Sequence, residues 1–137
     1  HLLLAHAFPP HSFVISRFIE TNPHICVNTI EKHVLGVSHS QIGAWLLTSW
    51  GLPEEIVEAT RWHHQEEYAS PNAAYSNIIL LANQMIGKLM LGDARPTPIP
   101  TAVLDTLGLT ESNIESAWSA MSEHIEELEA LADKLAA

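Results

Sequence analysis

The sequence predicts an all-α fold, a compact multi-helix bundle in a single domain. Apolar residues recur at helical spacing along nearly the whole chain, and no sustained apolar/polar alternation runs between hairpin dipeptides such as Asn-Gly or Asp-Gly. The composition agrees, because 47% apolar and 16% charged residues over 137 positions suffice for one packed core and exclude intrinsic disorder.

The elements follow in order. A first helix is expected from His11 to Glu20 and a second from Pro23 to Leu35, where Gly36 supplies a C-terminal stop. Ser38 caps a third, running to Trp50, whose stripe of His39, Ile42, Gly43, Leu46 and Trp50 turns His39 inward with the core. Gly51, Leu52 and Pro53 break the chain. Pro53 then fits the first turn of a fourth helix, with Glu54 and Glu55 complementing its positive end. The stripe Ile56, Ala59, Thr60 and His63 leads to an adjacent His63-His64 pair at its close. Past a polar loop, a helix from Asn72 to Leu91 is apolar on nearly every side and is expected to be the central one, sheathed by the others. Gly92 to Pro100, with three prolines, cannot continue it. A short helix from Thr101 to Leu107 ends at Gly108, and Thr110 caps a long last helix with the stripe Ile114, Ala117, Trp118, Met121, Ile125, Leu128, Leu131, Leu135. Six of the ten net negative charges lie in residues 111–137, on the outer face of that helix. Trp45, Trp50, Trp62 and Trp118 all fall on helix stripes and are expected in the core; one left at the surface would mark a partner site.

Six Lys+Arg against 16 Asp+Glu give a formal charge of -10, the wrong sign for neutralising nucleic-acid phosphates or adhering to anionic lipid. No apolar run reaches the ~18 residues of a membrane helix; the longest, Ile78 to Met90, is interrupted by Asn83, Gln84 and Lys88. The single cysteine, Cys26, excludes an intramolecular disulfide and a multi-cysteine zinc site, which makes the cytoplasm the default location. The chain opens on His1 and the apolar run Leu2, Leu3, Leu4, as expected of a piece of a longer polypeptide. The apolar surface left there would be covered by upstream helices or by a second copy in a homodimer.

Three histidines could carry chemistry: His39 on one helix and the pair His63-His64 closing the next. Imidazoles from neighbouring helices can share a divalent metal, and an inward histidine can equally be a hydrogen-bonded core residue; spacing leaves both readings open. No nucleophile elbow surrounds any serine, and the six glycines are scattered singly, so no phosphate-cradling loop is present. Cys26 reads as a small apolar residue.

The stretch from Glu31 to His64 resembles the HDOD family, a bacterial signalling relative of the HD-type metal-dependent phosphohydrolases. It is carried by an ordered set: Glu31, a Gly-x-x-His ending at His39, His-x-x-x-Gly-Ala over His39 to Ala44, Trp-x-Leu-Pro over Trp50 to Pro53, and the closing His63-His64. Fainter likeness continues through Ile78 to Leu91 and the final helix, and Leu2 to Pro9 resembles the segment that follows the metal-binding His-Asp dyad of the enzymes. The resemblance implies an HD-type helical bundle whose N-terminal helices precede residue 1, and a vestigial pocket formed by Glu31, His39, His63, His64 and Asn83. It also implies where the chain departs from an enzyme. No His-Asp dipeptide occurs, Asn83 stands where the hydrolases carry a late metal-binding Asp, and Gln65 to Tyr68 replace the Gly-Tyr-Pro signature of the cyclic-dinucleotide phosphodiesterases. Losing two carboxylates removes the main charge neutralisation of a divalent site. The expectation is a non-catalytic regulatory domain without a cofactor, acting through protein partners or neighbouring signalling domains. The alternative is a metal-dependent phosphohydrolase with its His-Asp dyad upstream of residue 1 and a divalent metal on His39, His63 and His64.

Overall fold

The computed structural model describes residues 9–87 and 98–125, and within them the chain is all helical: α1 Pro9–Thr21, α2 Val27–Leu35, α3 His39–Ser49, α4 Glu54–Trp62, α5 Ala73–Gly87, α6 Thr101–Leu107 and α7 Glu111–Glu123. Neither a strand nor a helix long and apolar enough to cross a membrane occurs among the described residues. The Leu2–Leu4 opening, the expected end of the fifth helix at Leu91, most of the proline loop and the last stripe beyond Ile125 lie outside them.

Most of the boundaries follow local chemistry. Gly36 terminates α2 with φ 77°, a left-handed conformation that costs a residue without Cβ little. Ser38 and Gln41 form a reciprocal capping box at the start of α3, as Thr110 and Asn113 do at the start of α7, so two otherwise unpaired backbone amides are satisfied at each end. The first helix begins at Pro9, two residues before the expected His11, and two later starts also differ from the sequence reading. The second helix begins at Val27 and not at Pro23, because residues 22–25 close a turn in which the Ile25 amide donates to the Asn22 carbonyl. Pro53 serves as the N-cap of α4, with extended ψ 146°, and stands before the first turn rather than within it.

Consecutive helices pack in sequence, with α3 against α4 and α4 against α5 as the most extensive pairs, and α5 joins that half to α6. Val27, Ile30, Ala44 and Ala59 are buried on the α2–α4 side. Leu81, Leu104 and Ile114 make a second cluster with Met85, Ile99, Leu107 and Leu109 around them. At the α3–α4 crossing the backbones approach so closely that a Cβ on Gly43 would sit 2.9 Å from Thr60 Cγ2.

Two expectations about burial are corrected. Helix α5 is not sheathed: it buries Ser76, Asn77 and Gln84 along with Leu80 and Leu81, and leaves Tyr75, Ile78, Ile79 and Ile86 exposed, Ile78 at 56%. An apolar pattern that runs nearly all round a helix has no phase, so α4 and α6 decide which side is covered. Nor do all tryptophans enter the core. Trp45 and Trp50 are 59% and 66% exposed, while Trp62 and Trp118 are half-buried. Trp50 is the cap residue of α3 and lies outside its last helical turn.

Candidate functional site

The capping box at Ser38 starts α3 in such a way that His39 is its first residue, beside Glu31 in the middle of α2. Glu31 is fully buried, and its Oε2 accepts from the backbone amide of His39 and from the His39 ring at Nδ1, both at 2.7 Å. The Glu31 carboxylate accepts from the ring, so His39 donates at Nδ1 and turns Nε2 toward the other two histidines. At the close of α4, His63 Nδ1 donates to the Thr60 carbonyl at 2.7 Å, which turns its Nε2 toward His39. These two nitrogens face one another at 3.4 Å, and His64 Nε2 stands 3.2 Å from the same His39 atom.

Three imidazoles thus converge, with one ligand atom from each inside 4.8 Å of the others. Ser40 adds a polar wall: its hydroxyl donates to Asn28 Oδ1 at 3.1 Å and lies 3.4 Å from His39 Nε2. Ring nitrogens whose other N–H is held by a carboxylate or carbonyl are the usual arrangement of metal-ligating histidine. The trio therefore fits a cation that prefers imidazole, such as zinc, cobalt or nickel, as a three-nitrogen set without a carboxylate. It does not fit a magnesium-type ion, which needs oxygen ligands.

Of the five residues expected in the pocket, Glu31, His39, His63 and His64 come together. Asn83 is half-buried on α5 and forms no side-chain hydrogen bond with the trio. Sequence reasoning missed Asn28 and Ser40, and it missed a cavity of about 400 Å³ that opens against His64 and is lined by Lys32, Gln41, Trp45, Arg61 and Trp62. A signal for that cavity existed. Lys32 and Arg61 are the only Lys or Arg between positions 18 and 87, and they flank Glu31 and the His63-His64 pair.

Near this wall Tyr68 stacks on Trp62 with ring centroids 5.0 Å apart and 17° between planes. The Tyr68 hydroxyl bonds the Glu58 carboxyl, which also accepts from Ser70 Oγ at 3.2 Å. That bond, with those of Asn72 and Ser70 and the charge of Arg61, holds the Glu58 carboxyl below its usual range against a smaller opposing effect of burial. Burial moves the Tyr68 phenol up.

Comparison with known families matches the segment that builds the trio. Residues 1–66 match the model of the HDOD domain family. This segment contains Glu31, His39, His63 and His64, and ends just past the histidine pair. A solved structure of a provisionally named signal transduction protein from Marinobacter aquaeolei VT8 superposes with a TM-score of 0.87 at 29% identity, over 100% of this chain and 30% of that one. The chain described here therefore spans about a third of that protein's length. No curated protein matches it.

Proposed function

We infer that the domain is a non-catalytic signal-transduction module that works by binding other proteins or by passing a conformational change to a neighbouring domain. The observation that carries this reading is the exposure of Trp45 on α3 and of Trp50 at its C-cap, the first residue of α3 being the His39 of the trio. Large indoles left in water on a rigid helix are the residues most enriched at interaction hot spots. The HDOD match and the signal transduction neighbour support it, as does Asn83, a neutral amide where the hydrolases of this superfamily resemblance carry an anionic ligand. In this reading the trio and Glu31 form a polar junction that ties α2, α3 and the end of α4 together. The test uses the full-length protein in its host: Trp50→Ser should abolish its signalling output while His63→Gln leaves most of it, and the purified chain should hydrolyse neither cyclic dinucleotides nor phosphomonoesters with any divalent metal. Metal-dependent turnover lost in His63→Ala overturns the reading.

A second reading is favoured by the convergence of the three Nε2 atoms. Here His39, His63 and His64 hold a divalent cation, which when bound would polarise a phosphoryl oxygen and acidify a water, and Glu31 orients His39. Titration with Co²⁺ distinguishes the two: an intense visible absorption of a nitrogen-ligated site that disappears in His39→Ala supports it.

A further inference from the structure

The cavity beside His64 has a lining that the histidine trio does not explain. We propose that it is a binding site for a small organic anion carrying a planar aromatic ring, the size of one ring with one phosphate or carboxylate. The charge argument comes first. The chain carries -10 overall, yet Lys32 and Arg61 both line this cavity and none of its described lining residues is a carboxylate. Local sign is thus inverted against the field of the whole molecule, as a site that admits an anion requires. Arg61 offers a planar fork suited to two oxygens of one phosphate or carboxylate, and Lys32 adds a movable point charge. Gln41 is positioned to help: its carboxamide oxygen accepts the Ser38 amide at 3.2 Å, which leaves its N–H groups to donate to the anion.

The ring argument is independent of charge. Two indoles, Trp45 and Trp62, line the same space. Trp62 is held in plane by its stack on Tyr68, so a flat ligand meets a surface that is already ordered and loses less entropy on binding. A bare oxyanion would use neither indole face. At about 400 Å³ the cavity falls in the lower part of the range for small-molecule pockets, ~300–1,000 Å³, which suits one ring system and not two.

This site needs no chemistry at the trio and stands whether or not a metal binds there. Cys26, the one cysteine of the chain, is exposed on the cavity lining and reports occupancy. The experiment titrates the intact chain by calorimetry with guanosine monophosphate and with indole-3-acetate, two ring-bearing anions of different origin, and with guanosine and inorganic phosphate as their separate halves; the rate of Cys26 modification by a thiol reagent is followed in parallel. At least one ring-bearing anion should bind with one-to-one stoichiometry, about tenfold or more tighter than either half, and should slow Cys26 modification. Which of the two prevails names the source of the ligand. Lys32→Ala, at an exposed position that leaves the fold intact, and Arg61→Ala should each weaken binding about tenfold, and Trp45→Ala should do the same. Absence of saturable binding by both ring-bearing anions overturns the proposal, as does phosphate binding as tightly as the nucleotide or affinity unmoved in Lys32→Ala.

Discussion

Glu31 holds His39 at two points, receiving its backbone amide and its ring Nδ1 on the same carboxylate oxygen at 2.7 Å each. One buried side chain on α2 therefore sets both where α3 begins and which way its first imidazole faces.

Removing that carboxylate should be among the costliest single changes. Glu31→Ala strands a buried amide and an imidazole N–H, and is expected to destabilise the chain by about 2–4 kcal/mol in urea unfolding. Glu31→Gln retains an acceptor and should cost less. The double variant Glu31→Leu with His39→Leu should cost less than the sum of the single changes, because the imidazole N–H is no longer there to be stranded and the backbone amide of residue 39 is lost as a partnered group only once.

Close approach at Gly43 is a second point of control over the trio, since Gly43 lies one turn after His39 and faces Thr60, whose carbonyl anchors His63. Gly43→Ala places a methyl 2.9 Å from Thr60 Cγ2, a group on a stiff β-branched side chain. Despite alanine's better helix propensity, a net loss of about 1–2 kcal/mol is expected. Thr60→Ser removes the opposing methyl and should restore most of it; a Gly43→Ala variant as stable as the parent would refute the contact.

Trp50 should behave in the opposite way. Two-thirds exposed and at the cap of α3, it can be changed to Ser with a stability effect within about 0.5 kcal/mol. Thermal melts of the variant should superpose on the parent while signalling output falls. Loss of stability of several kcal/mol would place Trp50 in the packing and not at a partner face.

The Tyr68 hydroxyl holds the Glu58 carboxyl below its usual range, so the folded value is depressed relative to the unfolded one. Such a group contributes stability that is present above the unfolded value, about 4.3, and is lost as pH falls through the folded value. Tyr68→Phe removes the bond, and the stability gap between parent and variant should be widest near neutral pH and narrow in acid. The Tyr68 phenol is raised, so its own contribution is present below its unfolded value and disappears as pH rises through the folded one. Unfolding curves collected from acid to alkaline pH check both limbs; a gap that widened in acid would contradict the assignment.

Much of the site was legible in the sequence because its parts are set by near neighbours. Gly36, the Ser38 cap and the residues that follow act within one helical turn, so they predict where α3 starts and that His39 opens it. The motif order from Glu31 to His64 likewise marks the residues that meet. Cavity walls do not announce themselves in this way: Lys32 and Arg61 each read as an ordinary surface cation until two helices bring them to one space. The tryptophan error had the same origin. A stripe tells which residues share a side of a helix and says nothing of whether a partner reaches that far along it.

The sequence by itself determined an all-helical chain, the caps that divide it, its acidic balance, and that His39 opens one helix while His63 and His64 close the next. Tertiary structure alone decided that His39 meets His63 and His64 across separations of 24 and 25 residues, that α5 turns Ser76, Asn77 and Gln84 inward and its isoleucines outward, and that two indoles stay in water. The reason is physical. Helix formation and capping are satisfied by hydrogen bonds within a turn, whereas burial and the meeting of side chains depend on the angle and distance at which helices cross, here fixed where Gly43 lets α3 approach Thr60.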